Sequence, residues 1–225
     1  MNWFRRHRDP LAQAYRDATP RRPARRQAWM ELTFLVLDAE TTGFKVGQDR
    51  MLSLATMPIR HGDLHVGEAA DWVVFQASAP VNAASSVHGI LPSETAAGTA
   101  ERAVLAALLP RLHGAVVVGH HIGFDAAILD EALRRHFGTG LRNPLLDTAA
   151  LAMATLDAFA RTAYPGQRPP TLEELCAHCG ITPLDRHTAA GDAFTTAELF
   201  LLLCARLRRR LDRPLQARDL PFTHV

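Results

Sequence analysis

Apolar and polar positions along the chain predict a run of strands followed by alternating helices and strands. Leu32–Leu37 is a short, β-rich apolar run that stops at Asp38. Met51–Arg60 and Leu64–Phe75 read as two further strands, with His61-Gly62-Asp63 as the turn between them. Residues 80–86 read as loop. Thr99–His113 places Val104, Leu105, Leu108, Leu109 and Leu112 at helical spacing. Ala115–Gly119 reads as a buried strand, Phe124–Phe137 as a helix, and Leu145–Leu146 as a last short strand running into a helix from Thr148. Thr171 and Glu174 have the spacing of a capping box and Gly180 follows the last apolar residue, so 171–179 is a short helix marked at both ends. Ala190–Leu211 is a long final helix with a stripe at Phe194, Ala197, Leu201, Cys204 and Leu207. The order β-β-β-α-β-α-β-α-α-α predicts an α/β domain, a mixed sheet with helices packed on it.

Residues 1–30 break this pattern, with eight Arg, three Pro and little periodicity. They read either as a solvated, partly ordered extension or as an arm that touches phosphates. The expected organisation is a basic extension over 1–30, one domain over 31–212 and a tail over 213–225. A chain of 225 residues suits one domain with a full core.

Apolar residues make up 48% and charged residues 21%, as in soluble globular proteins, and a net charge of +2 selects no partner by itself. Of the 25 basic residues only Lys45 is lysine, which reads as compositional bias. Three cysteines argue against a disulfide framework and fit a reducing, cytoplasmic setting. The first ten residues lack the apolar core of a secretory signal, and Leu199–Ala205 is far too short to span a bilayer, so no membrane is expected.

Four short segments carry candidate chemistry. In Leu37-Asp-Ala-Glu-Thr-Thr-Gly-Phe44, Asp38 and Glu40 sit two apart at a strand end, which puts both side chains on one face. At ~4 Å and an effective dielectric of ~20 such a pair repels by about 4 kcal/mol, tolerable where cations hold the site or one group takes a proton. Gly43 frees the backbone for a close approach to a ligand. In Gly119-His-His-Ile-Gly-Phe-Asp125, Asp125 falls in a first helical turn, where an acid is favoured by the dipole alone. In His187-Thr-Ala-Ala-Gly-Asp192, a His that can take a proton precedes an Asp that can bind a hard metal. In Val87-His-Gly-Ile90, His88 is either a substrate contact or a plain loop residue.

Taken together, Asp38, Glu40, Asp125 and Asp192, with His187 five residues before the last Asp, resemble the DEDDh family of 3′→5′ exonucleases, which includes the proofreading subunit of bacterial DNA polymerase III. The order and spacing match over about residues 32–205, and His187 stands where the sister DEDDy group has Tyr. One departure is His121, where relatives usually have Asn.

The resemblance implies a three-layer ribonuclease H-like fold, with a five-stranded mixed sheet of order 3-2-1-4-5 and strand 2 antiparallel. It implies two Mg²⁺ or Mn²⁺ ions held by Asp38, Glu40, Asp125 and Asp192. Asp38 would bridge the ions, Glu40 and Asp192 would complete the site of the attacking water, and Asp125 would act on the second ion. His187 would be the general base. Thr41, Thr42, Gly43 and Phe44 would border the terminal nucleotide, and His88 would help to position it. The implied partner is a single-stranded 3′ end, DNA favoured over RNA. The implied roles are proofreading or repair, with RNA trimming as the alternative. A non-catalytic polymerase-associated subunit is the reading from another class.

Other features have plain explanations. Leu172, Leu175, Cys176 and Cys179 form one apolar helix face, against the half zinc site that Cys176-x-x-Cys179 suggests. Asp147 reads as a helix cap that could also brace the site. Arg206–Arg210 ends a helix, where cations are favoured. Asp219–Phe222 resembles a sliding-clamp-binding peptide over four residues, which makes a clamp or a DNA polymerase a candidate partner beside the reading as ordinary tail.

Overall fold

Alternation along the first strand sets the layers. β1 (Thr33–Thr41) sends Phe34 and Val36 to one face of the sheet and Leu35 and Leu37 to the other, and all four are buried. A computed structural model describes residues 9–77, 88–162 and 166–225. The loop expected over 80–86 and Val87 of the fourth segment lie outside the described residues.

α1 (Pro10–Ala18) precedes β1, and β2 (Met51–Arg60), β3 (Asp63–Leu64) and β4 (Ala70–Val73) follow it. Next come α2 (Pro92–Ala96), α3 (Glu101–Arg111), β5 (Val116–Gly119), α4 (Gly123–Phe137), β6 (Leu145–Asp147) and α5 (Thr148–Thr155). The described elements end with α6 (Leu172–Cys179), α7 (Ala189–Leu211) and β7 (Phe222–Thr223). The sheet runs β3-β2-β1-β5-β6-β7, with β4 also on β2. β2 is antiparallel to β1, and β5 and β6 run parallel to it. The expected order 3-2-1-4-5 is found as β3 and β4 on β2, then β1, β5 and β6, with β7 added at the β6 edge.

One face of the sheet is covered by α1, α3 and α4, through Tyr15, Leu105, Leu109, Leu129 and Leu133 among others. The other is covered by α5, α6 and α7, through Leu151, Leu175, Phe200 and Leu203. These are the three layers of a ribonuclease H-like fold. Cys176 belongs to that second core, where burial raises its thiol to about 11, as the apolar-face reading requires.

The structure corrects three expectations. β1 does not stop at Asp38: pairing with β2 continues through Asp38–Ala55 and Glu40–Ser53, with an irregularity between Glu40 and Thr41. The strand expected over Leu64–Phe75 is split, because a one-turn helix at Val66–Glu68 separates β3 from β4. The extension over 1–30 contains α1, whose Asp9 cap accepts from Leu11 N–H. Tyr15 of α1 is fully buried; its hydroxyl donates to Asn143 Oδ1 at 2.6 Å, and Asn143 in turn donates to the carbonyls of Leu112 and Ala115. Residues 222–223 add an edge strand against β6.

Candidate active site

Because β1 alternates, Asp38 and Glu40 follow Phe34 and Val36 onto the face covered by α7. Asp192 stands in the first turn of α7, and ligand oxygens of Asp38, Glu40 and Asp192 lie within 4.8 Å of one another. Asp125, in the first turn of α4, enters from the end of the sheet, and its Oδ1 accepts the Ala39 N–H at 3.2 Å, between the two β1 acids. All four carboxylates line one cleft of about 420 Å³, together with Thr41, Phe44, His88 and His187.

Charge explains why this site suits cations. Burial first, and then repulsion from Asp125, Asp192 and Glu40, raises Asp38 well above the usual carboxylate range. Burial, then Asp192 and Asp125, raises Glu40 to about 7. Burial is also the main cause that lifts Asp125 to about 7, with Asp147 adding to it. The Arg186 guanidinium acts in the opposite sense on Asp38 and Glu40. A cluster of this kind fits hard divalent cations through oxygen ligands alone.

The other expected residues are placed as follows. His88 is buried; its Nδ1 accepts from Ile90 N–H, and its buried Nε2 has no partner among the described residues. Phe44 is 82% exposed at the rim, its ring 6.0 Å from that of Phe124. His187 is exposed on the rim, and its backbone N–H donates to Asp192 Oδ2 at 3.3 Å. Thr42 and Gly43 do not line the cleft. Thr42 Oγ1 donates to Asp49 Oδ1 at 2.7 Å, and a Cβ on Gly43 would lie 2.8 and 2.9 Å from the two Asp49 carboxylate oxygens. A side chain at 43 would therefore displace the Asp49 carboxylate that holds this loop.

His120, Phe124 and Arg186 were not singled out by the sequence. His120 and Phe124 line the cleft with His121, all from the second segment, whose other side chains could have been suspected with Asp125. His120 shares a hydrogen bond with Thr148 Oγ1 at 2.9 Å, and burial with the neighbouring His121 lowers it to about 3, so the ring is neutral. His121 has φ 54°, a left-handed conformation that Asn, the residue expected there, and His both adopt more readily than most side chains. Asp147 is both cap and brace: its Oδ1 accepts from Ala149 N–H at 2.8 Å and from His121 N–H at 3.1 Å. Arg186, beside His187, pairs with both Asp192 and Glu173.

Residues 35–200 match the protein-family model described as Exonuclease, RNase T. A "DNA polymerase III subunit epsilon-like protein" from Rhodobacter capsulatus is 37% identical over 191 residues, which cover 80% of this chain and 25% of that protein. The chain therefore spans about a quarter of that relative. The "DNA polymerase III subunit epsilon" of Aquifex aeolicus is 26% identical over 84% of this chain and 89% of its own length. Among solved structures, E. coli Exonuclease I in complex with a dT13 oligonucleotide superposes with a TM-score of 0.66 at 23% identity, over 80% of this chain and 43% of that one. The last likeness is one of fold.

Proposed function

The chain belongs to the exonuclease family of the RNase T type, and on that premise we propose that it removes nucleotides one at a time from the 3′ end of single-stranded DNA, in proofreading or repair. The observation that carries this reading is the convergence of Asp38, Glu40, Asp125 and Asp192 in one cleft rimmed by Phe44 and His187. The preference for DNA rests on the epsilon-type relatives, whose names also make a DNA polymerase a candidate partner. Three free cysteines fit a cytoplasmic setting, and among the described residues no helix is long and apolar enough to cross a membrane.

Asp38, Glu40 and Asp192, with Asp125, would hold two Mg²⁺ or Mn²⁺ ions, which supply Lewis acidity and an activated water for phosphodiester hydrolysis. The chain's own groups do the rest. His187, exposed at the rim beside Asp192, takes the proton of the attacking water. Phe44 and Phe124 offer aromatic surface to the terminal base or sugar. Thr41 borders the terminal nucleotide from the end of β1. His88, neutral because burial lowers its pKa, presents Nε2 to a polar group of the strand end. Asp147 holds the His121 backbone and so fixes the turn that delivers Asp125.

The test is the full chain on a 5′-labelled single-stranded oligonucleotide, DNA and RNA in parallel, with Mg²⁺ or Mn²⁺. A ladder of labelled DNA products shortened stepwise is expected. Shortening of RNA alone would transfer the activity to RNA, and shortening of neither, with metal bound, would leave a non-catalytic subunit.

A further inference from the structure

Arg186 sits where a cation is expected. One of its amino groups pairs with Asp192 Oδ1 and the other with Glu173 Oε1, and its side chain is only 22% exposed. Its Nε is buried with no partner among the described residues. The other oxygen of Asp192 accepts the His187 N–H. Both oxygens of this candidate ligand are therefore engaged by two adjacent residues of the loop that precedes its helix. A divalent ion that uses Asp192 Oδ1 meets a guanidinium already there.

The backbone around Arg186 offers little freedom to step aside. Asp185 and His187 have φ of 39° and 64°, both left-handed. Thr188 caps α7 by accepting from Gly191 N–H, and its hydroxyl donates to the Asp185 carbonyl at 2.7 Å. Leu184 N–H donates to Thr195 Oγ1 at 3.2 Å, and Gly191 packs so closely on the carbonyls of Leu184 and Asp185 that no Cβ fits. The turn is tied to the helix on both sides of Arg186, so it is the side chain that can let go. Glu173, 53% exposed at the start of α6, gives the guanidinium a second anchor when it does.

Resting on the metal-dependent reading above, we propose that Arg186 is a displaceable internal counter-ion: it neutralises Asp192 in the metal-free protein and yields that oxygen to the divalent ion, keeping Glu173. It is a positioning residue that sets metal affinity. Without it, the desolvation and mutual repulsion of these buried carboxylates would have no compensating cation. With it, Asp192 faces a cation both before and after metal binding, a monovalent guanidinium first and a divalent ion afterwards.

The sign of two substitutions tests this. Mn²⁺ binding to the full chain is measured by calorimetry, with metal-free thermal unfolding as a second readout and Asp192→Asn as the control for the site. Arg186→Gln removes the competitor, so Mn²⁺ should bind more tightly by about tenfold, equivalent to about 1.4 kcal/mol. Its metal-free Tm should fall and be restored by Mn²⁺. Glu173→Gln, an exposed position, removes the anchor that holds Arg186 after displacement, so Mn²⁺ should bind several-fold more weakly. Weaker or unchanged binding in Arg186→Gln would make Arg186 a brace for Asp192 and overturn the proposal. If Arg186→Gln does not fold, unchanged or tighter binding in Glu173→Gln overturns it equally. If the unmodified chain binds no Mn²⁺ that Asp192→Asn abolishes, the metal-dependent reading fails first, and this proposal with it.

Discussion

Asp125 is tied to the backbone of Ala39, the residue between the two acids of β1, by a hydrogen bond of 3.2 Å from the Ala39 N–H to Oδ1. One contact thus fixes the start of α4 against the end of β1, and sets the distance between the second acidic segment and the first. It also means that Asp125 has a structural duty and a charge, which substitution can separate.

Asp125→Asn keeps an oxygen for Ala39 N–H and loses the negative charge. Activity should fall by at least ~10²-fold, the scale of removing one electrostatic group from such a site. Metal-free stability should rise above that of the unmodified chain, since burial and the neighbouring Asp147 already oppose ionisation here. Asp125→Ala should be less stable than Asp125→Asn, because the Ala39 N–H loses its acceptor. Thermal unfolding and cleavage rates on the pair check this; equal stability of the two would deny the hydrogen bond any role.

Asp38→Ala should abolish cleavage while the metal-free fold holds or gains stability. Asp38 is the acid whose carboxyl is opposed by burial and by all three neighbouring carboxylates. Circular dichroism, Tm in excess chelator and cleavage in Mg²⁺ measure the three parts. Near-normal turnover would remove the basis of the site assignment.

Metal-free stability should depend on pH with a definite sign. Glu40 and Asp125 ionise near 7 in the folded chain and near 4 when unfolded, so between these values the native state binds more protons than the unfolded one. Their contribution is fully present below about pH 4 and is lost as pH rises through about 7. The Tm in excess chelator should therefore decline across that window relative to a Glu40→Gln/Asp125→Asn double variant. Saturating Mn²⁺ should flatten the difference. A Tm that rises more steeply than the variant's over the same window would reverse the assignment.

Much of this site was legible because its residues obey short-range rules. Alternation along β1 places Asp38 and Glu40 on one face, and the strand-to-helix junction after β5 and the Thr188 cap of α7 place Asp125 and Asp192 in first turns. The capping box of α6 is local in the same way: Thr171 accepts from Glu174 N–H, and Glu174 accepts from Thr171 N–H. What escaped depends on distant partners. α1 has nine residues and owes its place to Tyr15, whose hydroxyl meets Asn143 at a separation of 128 residues. The use of Thr42 and Gly43 by Asp49, and of Arg186 by Glu173, joins side chains whose spacing has no periodic signature. Ala189, Ala190 and Gly191, although small, are held in the first turn of α7, with Gly191 pressed against Leu184 and Asp185.

That packing limits how His187 can act. Its neighbour Thr188 is fixed as the cap of α7, and its own N–H is held by Asp192, so the ring reaches the cleft by rotating about its side-chain bonds and not by a swing of the loop. His187→Ala should lower single-turnover cleavage by ~10²–10⁴-fold, the usual worth of a positioned general base. Mn²⁺ affinity should change little, because the backbone N–H to Asp192 survives the substitution. Alanine at φ 64° is strained, so His187→Asn is the companion variant: asparagine tolerates that backbone and is not a base. Both variants should lose the rise of rate with pH that marks deprotonation of a base. That profile must be taken at saturating metal, where Glu40 and Asp125 no longer titrate in the same range. If Mn²⁺ affinity falls with cleavage in both variants, His187 supports the ligands instead of taking a proton; if His187→Asn cleaves at the full rate, the third segment contributes only Asp192.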